Sequence, residues 1–180
     1  MKYYIVDLFD EESYKLITPI QKNVSKKYRA NRNSPQPYIV LSSLENPTME
    51  KLNVVLEKVL KPFKKFKVEL CDNICVSETN KTVNLKIEHI GYIKKIARII
   101  NDTLKLHGFN VLCNDEDELA ISLANLNYFN RDRKNNNQAK FEENKTNVIS
   151  PTLKVDRFEI WKISNSRRET LVKSFVLRDF

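Results

Sequence analysis

PYIVLSSL (Pro37–Leu44) and LAISLANL (Leu119–Leu126) decide how this chain folds. Both are short, mostly apolar runs of the kind that forms buried strands. Each sits between helical stretches, as the two halves of a duplicated α/β domain would place them. The fold class therefore turns on whether the flanking sequence repeats one unit.

Before the first run, Lys2–Leu8 is aromatic and β-branched and reads as a buried strand. Asp10, Glu11 and Glu12 suit a helix N-terminus. That helix is expected to pass through Leu16, Ile17 and Ile20 to about Val24, with Pro19 limiting or kinking it. A loop, Lys22–Asn33, should follow; it holds Lys22, Lys26, Lys27, Arg29 and Arg32 with no acid among them, and Pro35 and Pro37 close it. After the first run, Asn46-Pro47 predicts a helix start, and Leu52, Val55, Leu56, Val59 and Leu60 form an apolar stripe ended by Pro62. Phe66–Ser77 and Thr82–Glu88 read as a hairpin turning at Thr79-Asn80-Lys81. Ile93, Ile96, Ala97, Ile100 and Leu104 mark a third helix, with Gly108 just beyond its end. Phe109–Leu112 is a short strand, and the second run supplies another, Leu119–Ala124. Residues 127–150 hold seven asparagines and few large apolar side chains, the composition of a flexible insert. Leu153–Ser164 and Thr170–Leu177 close the chain as strands. Helices interspersed among strands make this an α/β chain of one domain, residues 1–180.

A formal net charge of +8 and a pI near 9.3 favour a polyanionic partner, nucleic acid before an anionic membrane. A Lys- and Asn-rich composition also suits an AT-rich genome. Cys71, Cys75 and Cys113 lack the spacing of a disulfide framework and read as buried free thiols in a reducing compartment. No metal-ligand cluster is legible in the spacing, and no cofactor is expected. Glycine occurs only at Gly91 and Gly108, too sparse for a phosphate-cradling loop. The start of the chain lacks a signal-peptide pattern, and no apolar run spans a bilayer. A soluble intracellular protein, nuclear or cytoplasmic and without membrane contact, is the expectation.

The two strand-like runs and the element order around them resemble the two-histidine (2H) phosphoesterases, which include 2′–5′ RNA ligase-like proteins and the snRNA 3′-end-trimming phosphodiesterases. The closing pair, VDRFEIWKIS then TLVKSFVL, is similar to the family's C-terminal hairpin. The resemblance covers nearly the whole chain outside residues 127–150, and Ser122-Leu123-Ala124 is more similar to the snRNA-trimming branch. It implies a two-lobed, pseudo-symmetric fold with a central cleft, each lobe placing one His-x-Thr/Ser strand on the cleft floor. In that chemistry one imidazole takes a proton from the attacking hydroxyl and the other protonates the leaving oxygen. The Thr/Ser hydroxyls hold the phosphoryl oxygens where charge develops. Here the four positions read Tyr38, Val40, Ala120 and Ser122. A phenol of pKa near 10 is a poor base at neutral pH, and alanine moves no proton. Neither His89 nor His107 lies in such a frame, and both read as surface or helix-capping residues.

The sequence thus points to a pseudoenzyme, a catalytically inactive 2H-like protein that binds RNA or serves as a subunit of an RNA-processing complex. Lys22, Lys26, Lys27, Tyr28, Arg29 and Arg32 are the candidate RNA-binding set, with Tyr28 as a stacking group. Lys64, Lys65, Lys67, Arg131, Arg133 and Lys134 add positive charge. Two alternatives stand beside it. One is a protein-interaction scaffold whose old cleft has become core. The other is a phosphodiesterase that uses non-standard residues.

Overall fold

A computed structural model describes residues 1–30, 34–77, 81–112, 119–126, 151–164 and 168–179. In chain order the elements are β1 (Lys2–Phe9), α1 (Glu11–Lys27), β2 (Tyr38–Glu45), α2 (Met49–Leu60), β3 (Phe66–Ser77) and β4 (Thr82–Glu88). They continue with α3 (Gly91–Leu106), β5 (Val111–Leu112), β6 (Ala120–Asn125), β7 (Thr152–Ile163) and β8 (Glu169–Val176). The hairpin pattern, the α3 stripe and both motif strands therefore form where the sequence placed them. The turn residues Thr79 and Asn80 and the expected flexible insert 127–150 lie outside the described residues.

The strands form one sheet whose order is β1-β2-β6-β4-β3-β7-β8, with β5 on β2 and a further ladder between β1 and β7. That last ladder, running from Lys2–Ile163 to Phe9–Val155, closes β1, β2, β6, β4, β3 and β7 into a circuit. The named strands pair antiparallel throughout. The circuit reads the same when β2 is exchanged with β6, β1 with β4 and β7 with β3. It also brings β1-α1-β2 into correspondence with β4-α3-β6. This is the duplication that the two strand-like runs announced.

Helix α1 starts where Asp10 Oδ1 accepts the Ser13 amide at 2.9 Å, with Glu11 and Glu12 in the first turn and Lys26 and Lys27 in the last. Acids first and bases last suit the helix dipole. Two expectations are corrected here. Pro19 does not end the helix, which runs on to Lys27, so Lys22, Lys26 and Lys27 are helical rather than in a loop. The physical reason is burial of Ser13, Ile17 and Val24 on the inward stripe, which outweighs a missing amide. Helix α2 begins at Met49 with Thr48 as its cap, not at Asn46-Pro47. Asn46 instead takes a left-handed φ of 45°, and its Oδ1 accepts the Met1 amino group.

All three helices feed one large apolar cluster on one side of the sheet. It gathers Ile17 and Val24, then Leu52, Val55, Leu56 and Leu60, then Ile93, Ile96, Ala97, Ile100 and Leu104. Each large aliphatic side chain buried there is worth about 1.5–3 kcal/mol relative to exposure. Gly108, at φ 77°, ends α3 in the conformation that costs glycine least. The opposite face carries a smaller cluster, and that face bears the motif positions.

Candidate functional site

Strands β2 and β6 meet in a short antiparallel ladder, Tyr38 opposite Ser122 and Ile39 opposite Ile121. Continuing the register sets Val40 against Ala120. The Ile39–Ile121 pair is the centre of an approximate two-fold that carries Tyr38 onto Ala120 and Val40 onto Ser122. All four motif positions thus form one patch on one face, half from each repeat. The fold brings together the residues that the sequence singled out.

The patch is packed rather than open. Tyr38 joins Val6, Leu8 and Trp161 in the smaller apolar cluster, flanked by Tyr4, Tyr14, Val40 and Ile163. The Tyr38 and Trp161 rings lie 4.8 Å apart at 57°. Tyr38 is 4% exposed and Ser122 9%, so neither presents a reactive edge to solvent. Burial pushes the Tyr38 phenol well above its usual range; Glu169 and Tyr4 push it further, and only a hydrogen bond with Ser122 opposes them. A general base needs the reverse shift.

Two acids border this patch, neither singled out from sequence. Glu159 is buried, its Oε2 accepting Trp161 Nε1–H at 2.6 Å and its Oε1 accepting Arg157 Nε–H at 3.0 Å. Arg157 Nη1 also donates to the Phe9 carbonyl at 3.1 Å and to Asp156 Oδ1 at 2.9 Å. Burial disfavours the Arg157 charge, but Glu159 and Asp156 hold its pKa above the ordinary value. Tyr14 donates to the Pro37 carbonyl at 3.1 Å, and burial raises its phenol to about 12. The second acid, Glu169, accepts from Asn125 Nδ2 at 3.0 Å. The signal for Glu159 was present in DRFEIW, where Arg157, Glu159 and Trp161 recur with period two and share a strand face. Tyr38, Val40, Ala120 and Ser122 thus lie beside two carboxylates and no imidazole among the described residues.

The candidate RNA-binding residues gather at the C-terminal end of α1. Lys22, Lys26, Lys27 and Arg29 are exposed there, while Tyr28 caps the helix half-buried against the main cluster. Burial, then Cys75, raises the Tyr28 phenol. Arg32 lies outside the described residues, as do Arg131, Arg133, Lys134 and Cys113. The end of α1 is tied to β6: Gln21 Nε2 donates to the carbonyls of Pro35 and Leu123, each at 2.8 Å. Ser34 Oγ accepts the Asn125 amide at 3.0 Å. Leu123 follows Ser122, so Gln21 anchors the end of the helix to β6 one residue from a motif position.

His89 is exposed at φ 52°, and His107 Nδ1 lies 2.8 Å from the Thr103 carbonyl at the end of α3, as surface and capping residues would. Glu69, Glu88 and His89 bring their ligand atoms within 4.8 Å of one another, all three exposed. The β3–β4 register sets Glu69 opposite Glu88, a proximity that sequence spacing hides, and His89 Nε2 lies 3.8 Å from Glu69 Oε2. Cys71 and Cys75 are half-buried rather than buried, and neither forms a disulfide among the described residues. Among the described residues no helix is long and apolar enough to cross a membrane.

The circuit and its paired motif strands define the fold of the 2H phosphoesterases. Solved structures agree. Escherichia coli LigT complexed with 3′-AMP is similar at a TM-score of 0.63 and 16% identity, over 98% of this chain and 97% of that one. TT0787 of Thermus thermophilus is similar at a TM-score of 0.59 and 16% identity, over 99% of each chain. No protein-family model and no curated protein matches the sequence.

Proposed function

We propose that this protein is a catalytically inactive member of the 2H fold that binds RNA, alone or as a subunit of an RNA-processing complex inside the cell. The observation that carries the inactivity is the motif patch itself: no imidazole, one hydroxyl, and a buried tyrosine packed on Trp161. RNA contact is assigned to Lys22, Lys26, Lys27, Tyr28, Arg29 and Arg32, because Lys22–Asn33 is a run of cations without an acid and Lys22, Lys26, Lys27 and Arg29 are exposed at the end of α1. Nothing in this reading calls for a metal or cofactor. Affinity for single-stranded RNA should fall with salt at a slope of roughly −0.7 per phosphate neutralised. Replacing Lys26, Lys27, Arg29 and Arg32 by alanine should lower both affinity and slope. Unchanged titrations would remove this surface from the reading.

A second reading, a protein-interaction scaffold, is favoured by a different feature. Val6, Leu8, Tyr38 and Trp161 are buried where an enzyme of this fold keeps a cleft floor. It predicts weak, non-saturable RNA binding and a protein that co-purifies. Residual phosphodiesterase activity through other groups is the third reading. Incubation with 3′-uridylated RNA and with cyclic phosphates tests it, since positioned acid–base groups contribute about 10²–10⁴-fold and this patch lacks them.

A further inference from the structure

Strand β4 stops at Glu88, opposite Glu69 of β3, and the chain then turns into α3. Consecutive strand residues point to opposite faces, so an extended chain would carry His89 away from Glu88. A left-handed φ of 52° at His89 breaks that alternation. The imidazole Nε2 comes to 3.8 Å from Glu69 Oε2, and the ligand atoms of all three side chains lie within 4.8 Å of one another. The same three residues line a surface concavity, walled on its apolar side by Phe66, Ile87 and Tyr92. Phe66 and Tyr92 meet edge to face in that wall, their rings 5.2 Å apart. Among the described residues neither Glu69 nor Glu88 forms an ion pair with a lysine or arginine, so two like charges face each other across the ladder.

We propose that Glu69, Glu88 and His89 bind one divalent ion of the zinc type. An exposed pair of acids is ordinary by itself. Two things set this pair apart: the turn brings a nitrogen donor onto it, and the same residues form a concavity. The donor set selects the ion. One imidazole nitrogen with two carboxylate oxygens suits zinc and its neighbours in the transition series, whereas magnesium and calcium favour oxygen donors alone. Three protein ligands leave a fourth position for water, and the concavity supplies the room. With bonds of about 2.0–2.2 Å, donors around one tetrahedral zinc lie about 3.3–3.5 Å apart. Closing the present spacing to that value asks only for rotation of three exposed side chains. A doubly charged ion also offsets the cost of opposing Glu69 to Glu88. The site shares no residue with the proposed RNA contact, and either can fail without the other.

Calorimetric titration of the chelator-treated full chain with zinc chloride should show one equivalent bound, and magnesium chloride should give no heat of binding. Cobalt(II) in place of zinc should give visible d–d bands without a thiolate charge-transfer band, which separates this site from any at Cys71, Cys75 or Cys113. Glu88→Gln and His89→Asn should each keep the far-UV spectrum. Each should weaken zinc binding by more than the roughly 10–100-fold that a ligand's outer partner is worth. Asparagine tolerates a left-handed backbone, so the second variant keeps the turn. Zinc should raise the thermal midpoint of the wild type and leave that of the double variant where it was. No zinc binding, binding unaffected by both variants, magnesium binding of equal affinity, or a thiolate band with cobalt would overturn the proposal.

Discussion

At the scale of single residues, Asp7 is a costly placement. It is fully buried in β1, opposite Ile39 and Phe158 of the main cluster, and both carboxylate oxygens lack a hydrogen-bond partner. Burial drives its pKa well above 3.8. The neutral form is the one the fold tolerates, so this group's stabilising contribution is complete below pH 3.8 and is lost as pH rises to the folded pKa. Asp7→Asn should raise the urea midpoint at pH 8 and raise it much less at pH 4. Asp7→Leu should stabilise at neutral pH by about 1–3 kcal/mol, since it removes an unsatisfied polar group. At the motif patch the opposite logic applies. Tyr38→His with Val40→Thr and Ala120→His restores the letters of the half-sites but not their surroundings. An imidazole buried beside Trp161 is desolvated and held neutral. Single-turnover assays should show no more than a trace of phosphodiesterase activity.

Among the elements, α1 contains a conflict that tests how its basic end is held. Pro19 sits inside the helix, and the neighbouring Thr18 hydroxyl donates to the Tyr14 carbonyl at 2.6 Å. Proline in a helix interior costs about 3 kcal/mol, so Pro19→Ala should raise stability by up to that amount in urea titration. Asp10→Ala should lower it by about 1 kcal/mol through loss of the cap. Neither change touches Lys22, Lys26 or Lys27, so RNA affinity should stay as it was. The element boundaries show which local signals were legible. The period of α3 located every one of its buried residues, because a continuous stripe has no competitor. Asn46-Pro47 misplaced the start of α2, because Asn46 instead takes a left-handed turn that holds Met1.

For the whole molecule, the closed circuit ties both repeats into one cooperative unit. Strand β1 is paired on both sides, by β2 and by β7, whereas β8 is paired only by β7. Native-state hydrogen exchange should find β1 amides opening only with global unfolding, and the outward amides of β8 exchanging well before them. Uniform protection of both strands would contradict this order.

The sequence by itself determined the repeat, the element types and the absence of histidine at the motif frames, because those are local properties of period and residue chemistry. It also announced the basic run at Lys22–Arg32, though as a loop, since Pro19 outweighs burial in any local reading. Only the tertiary structure decided that Tyr38, Val40, Ala120 and Ser122 form one patch, because antiparallel register joins residues some eighty positions apart. Likewise it alone placed Glu159 and Trp161 against that patch and buried Tyr38 in a packed cluster. It opposed Glu69 to Glu88 and buried Asp7 without a partner for the same reason. Burial and cross-strand contact are set by which faces meet, and no single strand's sequence states its neighbours.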